Sequence, residues 1–139
     1  MKGENCGYCQ GGALLADFGI KICDLGVSQL ILFREQSHLG RCIVAYKDHV
    51  SEIVNLTDEE RNAFFADVNR AANAIHKAFH PEKVNYGAYG DTGCHLHFHL
   101  VPKYRDGFEW GGVFAMNPKQ TCLTDEQYAE MIEKIKSSL

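Results

Sequence analysis

A chain of 139 residues is long enough for one domain that buries roughly two-thirds of its unfolded surface. Its formal net charge of −4 argues against a general nucleic-acid binder, which carries a basic stripe to neutralise phosphates, so any anionic ligand must be held by local groups. Hydrophobic residues at 45% with 23% charged, and neither a long apolar run nor a signal-peptide pattern, lead to the expectation of a single cytoplasmic domain over residues 1–139 that works without a membrane.

The six cysteines stand at 6, 9, 23, 42, 94 and 122, scattered through a chain large enough to fold without staples, so thiols or a metal pair fit better than disulfides. Cys6-Gly7-Tyr8-Cys9 is a Cys-x-x-Cys knuckle beside the Gly11-Gly12 turn. A redox dithiol would follow a strand and open a helix, and no strand precedes this pair. Half of a tetrahedral zinc site is the better reading, given two further ligands from elsewhere in the chain.

Phe18 to Cys23 and Val27 to Phe33 read as two strands around an Asp24-Leu25-Gly26 turn, an antiparallel hairpin with Leu30, Ile31 and Leu32 as core candidates. A polar loop from Arg34 to His38 leads to Gly40, which opens a third strand, Arg41 to Tyr46, ended by Lys47-Asp48-His49. Thr57-Asp58-Glu59-Glu60 is a capping box, and the helix it starts runs to about Phe79. Its apolar stripe comprises Phe64, Val68, Ala71, Ala72, Ile75 and Phe79, with Phe65 off the stripe and free for a second contact. His76 and His80 near its end suit the helix dipole and read as structural.

Pro81 stops the helix, and Val84 to Tyr89 forms a fourth strand. Gly87, Gly90 and Gly93 flank Asp91-Thr92 in a tight approach where backbone amides can face a phosphate, although a plain hairpin turn gives the same pattern. From Cys94 to Lys103, His95, His97 and His99 alternate with Leu96, Phe98 and Leu100, the period of a strand with one apolar face. All three imidazoles then share a face, next-but-one neighbours standing roughly 6.6 Å apart. Such a row can hold a metal at one end and a phosphate across the other two. A pure metal site ranks second, and a solvated strand face a distant third, since no Lys, Glu or Thr is mixed in.

His95-Leu96-His97-Phe98-His99-Leu100-Val101 resembles the signature of the histidine-triad (HIT) family of nucleotide hydrolases and nucleotidyl transferases, and the resemblance extends over roughly residues 4 to 105. Gly40, Ile43, Val44, Lys47 and His49 match a second family segment, with Arg41 where many members have His and Tyr46 where many have Pro. Gly90-Asp91-Thr92 stands at the family's Gly-Gln-Ser or Gly-Gln-Thr position, Asn85 at a phosphate-contacting Asn with a one-residue gap, and Glu35 is offered for a ribose-contacting acid.

The chain after the triad gives a loop, Tyr104 to Gly112, with Phe108 and Trp110, the latter as packing or as part of a tail over the site. Thr124-Asp125-Glu126-Gln127 is a second capping box starting a terminal helix with Tyr128, Met131, Ile132 and Ile135 on one stripe. The architecture expected is α+β: about five mostly antiparallel strands, one long helix and a C-terminal helix.

His97, central in the row, is the expected nucleophile, also the family's choice; His99 and Thr92 stabilise the phosphoryl group, and Asn85, Arg41 and Asp91 are candidate nucleotide contacts. A structural zinc on Cys6, Cys9, His49 and His95 would tie the N-terminus to the triad strand, with His38 in place of His49 as the rival. The resemblance implies hydrolysis at the α-phosphorus of a nucleoside phosphoramidate or dinucleoside polyphosphate. Transfer to a phosphate or sugar-phosphate acceptor, or a nucleotide-binding adaptor with incidental turnover, stays open. A homodimer is expected, carried mostly by the resemblance and also by Phe65 and an uncovered sheet edge.

Overall fold

A computed structural model of the chain describes residues 3–119 and 121–139. Five strands form one antiparallel sheet: β1 (Gly19–Asp24), β2 (Ser28–Phe33), β3 (Cys42–Tyr46), β4 (Lys83–Gly87) and β5 (His97–Lys103), in the order β1-β2-β3-β5-β4. Two short helical turns, α1 (Gly7–Gln10) and α2 (Gly12–Ala16), precede the sheet; α3 (Asp58–Phe79) lies between β3 and β4, and α4 (Asp125–Lys136) ends the chain. The expected α+β architecture is the observed one.

The strand period sorts side chains onto two faces with different work. One face carries Leu30, Leu32, Cys42, Val44 and Leu100, which pack with Phe64, Val68, Ala71, Ala72 and Ile75 of α3. The opposite face aligns Ile31, Ile43 and His99 across three strands, and beside them Gln29, Ala45 and His97. The triad thus stands on the side away from the long helix, its floor made of Ile31, Phe33, Ile43 and Ala45 with Leu15. Phe65 finds its second contact within the chain, edge-on to both Phe64 and Phe98.

Both capping boxes form: Thr57 accepts from the Glu60 amide and Thr124 from the Gln127 amide, with the Glu and Gln side chains reaching back. His80 closes α3 in the left-handed conformation, its N–H donating to the His76 carbonyl. Two expected boundaries move by more than one residue. The fourth strand ends at Gly87 rather than Tyr89, because Tyr89 turns its ring back beside Gly87; a Cβ there would lie 2.6 Å from Tyr89 and 2.7 Å from Phe114. The fifth begins at His97, so His95 precedes it in a bend where its amide bonds to Gly93. The α1 and α2 turns have no counterpart in the expected elements, being too short to show an apolar period.

Asp67, buried in the middle of α3, was hidden among the polar residues of the helix pattern. Its carboxylate accepts from the amides of Gly26 and Val27 and from the Ser28 hydroxyl, which fixes the β1–β2 turn on the helix. Replacing Asp67 by Ala strands these donors in a partly dry site, so Asp67→Ala is expected to lose about 1–3 kcal/mol in urea unfolding. An unchanged midpoint would show that the turn satisfies its amides without the helix.

Candidate active site

A cleft of about 1030 Å³ opens on the triad face. The N-terminal turn contributes Cys6, Gly7 and Tyr8, the rim after β4 contributes Tyr89 to Cys94, and the segment 113–117 contributes Val113, Phe114, Met116 and Asn117. His97 and His99 form its floor with Phe33 and Ile43. The rim needs Gly90, whose φ of +137° is hostile to a residue with a Cβ.

Each triad histidine has one ring nitrogen fixed by the protein. His97 Nδ1 lies 2.6 Å from the His95 carbonyl, which can only accept; Nδ1 therefore carries the proton and Nε2 keeps its lone pair. Burial pulls the His97 pKa below its ordinary value, so the imidazole is neutral near pH 7. The Tyr8 ring stacks on His97 at 4.9 Å between centroids and also touches His95 at 5.1 Å. His95 Nε2 donates to the Tyr46 carbonyl at 2.7 Å, leaving Nδ1 free to act as a ligand.

That Nδ1 meets three other donors. It lies 3.4 Å from each of Cys6 Sγ and Cys9 Sγ and 3.2 Å from His49 Nδ1, and Cys9 Sγ is 3.3 Å from His49 Nδ1. The four ligand atoms lie within 4.8 Å of one another, a group that could hold a metal ion. Cys6 caps α1 and Cys9 follows three residues later, a spacing that puts both thiols on one side of the turn. Burial pushes the Cys6 thiol up, against the lowered pKa that a redox dithiol needs. Among the described residues His38 is outside the group; it pairs with Glu109 at 2.7 Å.

His99 is set differently. Its Nδ1 faces the Arg41 guanidinium, 3.3 Å from Nε and 3.1 Å from Nη2. Arg41 is completely buried, donates to the carbonyls of Ala115 and Met116, and lies 4.3 Å from the Phe33 ring centre and 4.9 Å from that of Phe114. Burial first, then the Arg41 charge, holds the His99 pKa down at about 3.

Of the sequence-derived site residues, the cleft gathers Cys6, His49, His97, His99, Asp91 and Thr92. Arg41 and Asn85 are not among its lining residues, and Glu35 is engaged with Ser37 and the Thr121 amide. Tyr8, Phe33, Phe114 and Asn117 line it without having been singled out. Tyr8 was legible inside the Cys-x-x-Cys knuckle, whereas nothing in the sequence distinguishes Phe114 from a packing residue. Trp110 is outside the cleft lining, with Arg105 over its ring.

The sequence profile of the HIT domain family matches residues 34–106. The chain belongs to this family. Protein hit of Bacillus subtilis (strain 168) is 28% identical over 142 residues, spanning 98% of this HIT chain and 92% of its own length. A relative from Schizosaccharomyces pombe named adenosine 5'-monophosphoramidase hnt1 is 24% identical over 127 residues, 86% of this chain and 88% of its own. A histidine triad protein of Sinorhizobium meliloti 1021 shares the HIT fold with a TM-score of 0.83 at 25% identity, over 90% of this chain and 93% of that one.

The depressed pKa of His99 couples this HIT site to stability. From 6.5 down to about 3 the unfolded chain takes up a proton at this position that the folded chain does not, so stability drops as pH falls through that window. His99→Gln removes the proton difference. Urea unfolding across the same window is expected to show a shallower loss of stability for the variant than for wild type, and parallel curves would contradict it.

Proposed function

We propose that this protein is a nucleotide hydrolase cleaving at the α-phosphorus of a nucleoside phosphoramidate or dinucleoside polyphosphate through a nucleotidyl intermediate on His97. The observation that carries the reading is the His97 tautomer: the His95 carbonyl holds the proton on Nδ1, leaving Nε2 as a neutral nucleophile in the cleft floor. Membership of the HIT family and the relative named as an adenosine 5'-monophosphoramidase support the substrate class.

In this reading Nε2 attacks phosphorus, an N–P bond forms, and the bond to the leaving group breaks with its electron pair on the leaving atom, which takes a proton from solvent. Water then attacks the same phosphorus and gives up a proton to solvent, the N–P bond breaks, and the lone pair returns to Nε2. His99 donates to a non-bridging oxygen as negative charge gathers there, with Thr92 and the rim amides as further donors. Asp91 would contribute through its amide, since its carboxylate repels phosphate.

The same reading gives Cys6, Cys9, His49 and His95 a structural zinc. With bonds of about 2.3 Å to sulfur and about 2.0 Å to nitrogen, tetrahedral angles set S–N edges of about 3.5 Å and N–N edges of about 3.3 Å. The observed S–N separations of 3.3 and 3.4 Å and the N–N separation of 3.2 Å fit such a site. Bound there, zinc supplies a crosslink between the N-terminal turn and the start of the triad strand.

Acid-free quenching during turnover is expected to reveal a mass increase of one nucleoside monophosphate on the peptide containing His97. His97→Ala should lose the adduct and nearly all turnover while remaining folded, and wild-type turnover in that variant would rule out the covalent route. For the metal, elemental analysis should find one zinc per chain in wild type and little in Cys6→Ser/Cys9→Ser protein; equal zinc in both would dismiss the site.

A further inference from the structure

Arg41 is fully buried, yet it does not line the cleft. Two of its N–H groups point at one atom, His99 Nδ1, and the others reach the carbonyls of Ala115 and Met116. A guanidinium has donors only, so the atom it faces must present a lone pair. A neutral imidazole carries a single N–H, which for His99 is then on Nε2. Protonating Nδ1 would set donor against donor and cation against cation.

We propose that Arg41 is a positioning residue that fixes His99 in the Nε2–H tautomer, making it a permanent hydrogen-bond donor in the cleft and barring it from acting as nucleophile or base. The neighbouring histidine is held in the opposite tautomer, with Nδ1 protonated by its bond to the His95 carbonyl. The two rings are 5.4 Å apart between centroids and chemically alike, so their division of labour comes from what each Nδ1 meets. A planar fork suits the task because it can serve one acceptor with two N–H groups while holding two carbonyls; a lysine presents one nitrogen. The catalytic consequence rests on the hydrolase reading above, but the tautomer does not.

The competing role for Arg41 is purely architectural, as the tie that holds segment 113–117 through the Ala115 and Met116 carbonyls. The test separates the two. Full-length protein with ¹⁵N-labelled histidine is examined by long-range ¹H–¹⁵N correlation at neutral pH without nucleotide, His99 being assigned by loss of its signals in His99→Gln. Wild type is expected to show a bare Nδ1 and a protonated Nε2 for His99. An Nδ1–H form or an imidazolium would overturn the proposal whatever the enzyme does.

Arg41→Met should release the ring to a mixture of tautomers, and turnover of an adenosine phosphoramidate should drop about 10²-fold in kcat with KM little changed, the scale of losing one preorganised donor. Arg41→Lys, which keeps the charge and one donor toward Nδ1, should retain the Nε2–H form and recover part of kcat. If Met fails to fold, Lys decides through kcat: a folded Lys variant that keeps the Nε2–H form yet loses about 10²-fold in kcat, or wild-type tautomer and kcat in a folded Met variant, refutes the assignment. Should wild type show the expected tautomer yet turn over no nucleotide, the hydrolase reading fails and the positioning role stands.

Discussion

The site depends on a constraint that applies to all three histidines: an imidazole has two nitrogens, and here the protein commits one of each. His95 commits Nε2 to the Tyr46 carbonyl, His97 commits Nδ1 to the His95 carbonyl, and His99 commits Nδ1 to Arg41. The nitrogen left over has a bare lone pair in the first two cases and a proton in the third, which on the proposed reading suits them to hold a metal, to attack phosphorus and to donate to a phosphoryl oxygen. Three copies of one residue type are thereby set differently by their hydrogen-bond partners. Burial reinforces the arrangement, since it lowers the pKa of all three and favours the neutral ring.

Those partners are backbone groups and one buried side chain, so the division of roles is only as firm as the sheet. The His97 acceptor is the carbonyl two residues before it, available because the chain bends at His95 and does not continue as a regular strand. The bend is held by Leu96, which donates its amide to Val50 and accepts from the Tyr46 amide. The bend also lets His95 turn toward the N-terminal cysteines while His97 and His99 stay over the floor of Ile31, Ile43 and Ala45. A straight strand would have aimed all three rings alike.

Much of the fold was legible because its signals are local. The capping boxes at Thr57 and Thr124, the stripe of α3 and the alternation from His97 onward each lie within one element, and each formed, while His95 precedes the strand in a bend. The Cys6, Cys9, His49 and His95 group was legible through resemblance, and the fold brings those four together. The features that escaped depend on distant partners. Whether Arg41 faces a ligand or a histidine is decided by β3 pairing with β5 and by a segment more than seventy residues later. Phe114 reaches the cleft only because Gly87 leaves room beside it, and Asp67 is anchored to a turn forty residues away. None of these has a period or a motif.

The cleft draws its floor and its walls from different kinds of element. His97 and His99 stand on a strand paired on both sides, whereas the walls come from the N-terminal turn, the rim at 89–94 and the segment 113–117. Walls on connecting segments can vary without moving the floor, which is how one fold hosts different functions. Here the separation is incomplete. Arg41 binds the carbonyls of Ala115 and Met116 with the same guanidinium that faces His99, and Tyr8 of the knuckle lies on His97. A shift of segment 113–117 would therefore reach His99 through Arg41, and a displacement of Tyr8 would reach His97. Each of these walls meets one cleft histidine through a single side chain, so the position of the wall and the setting of that ring are physically linked.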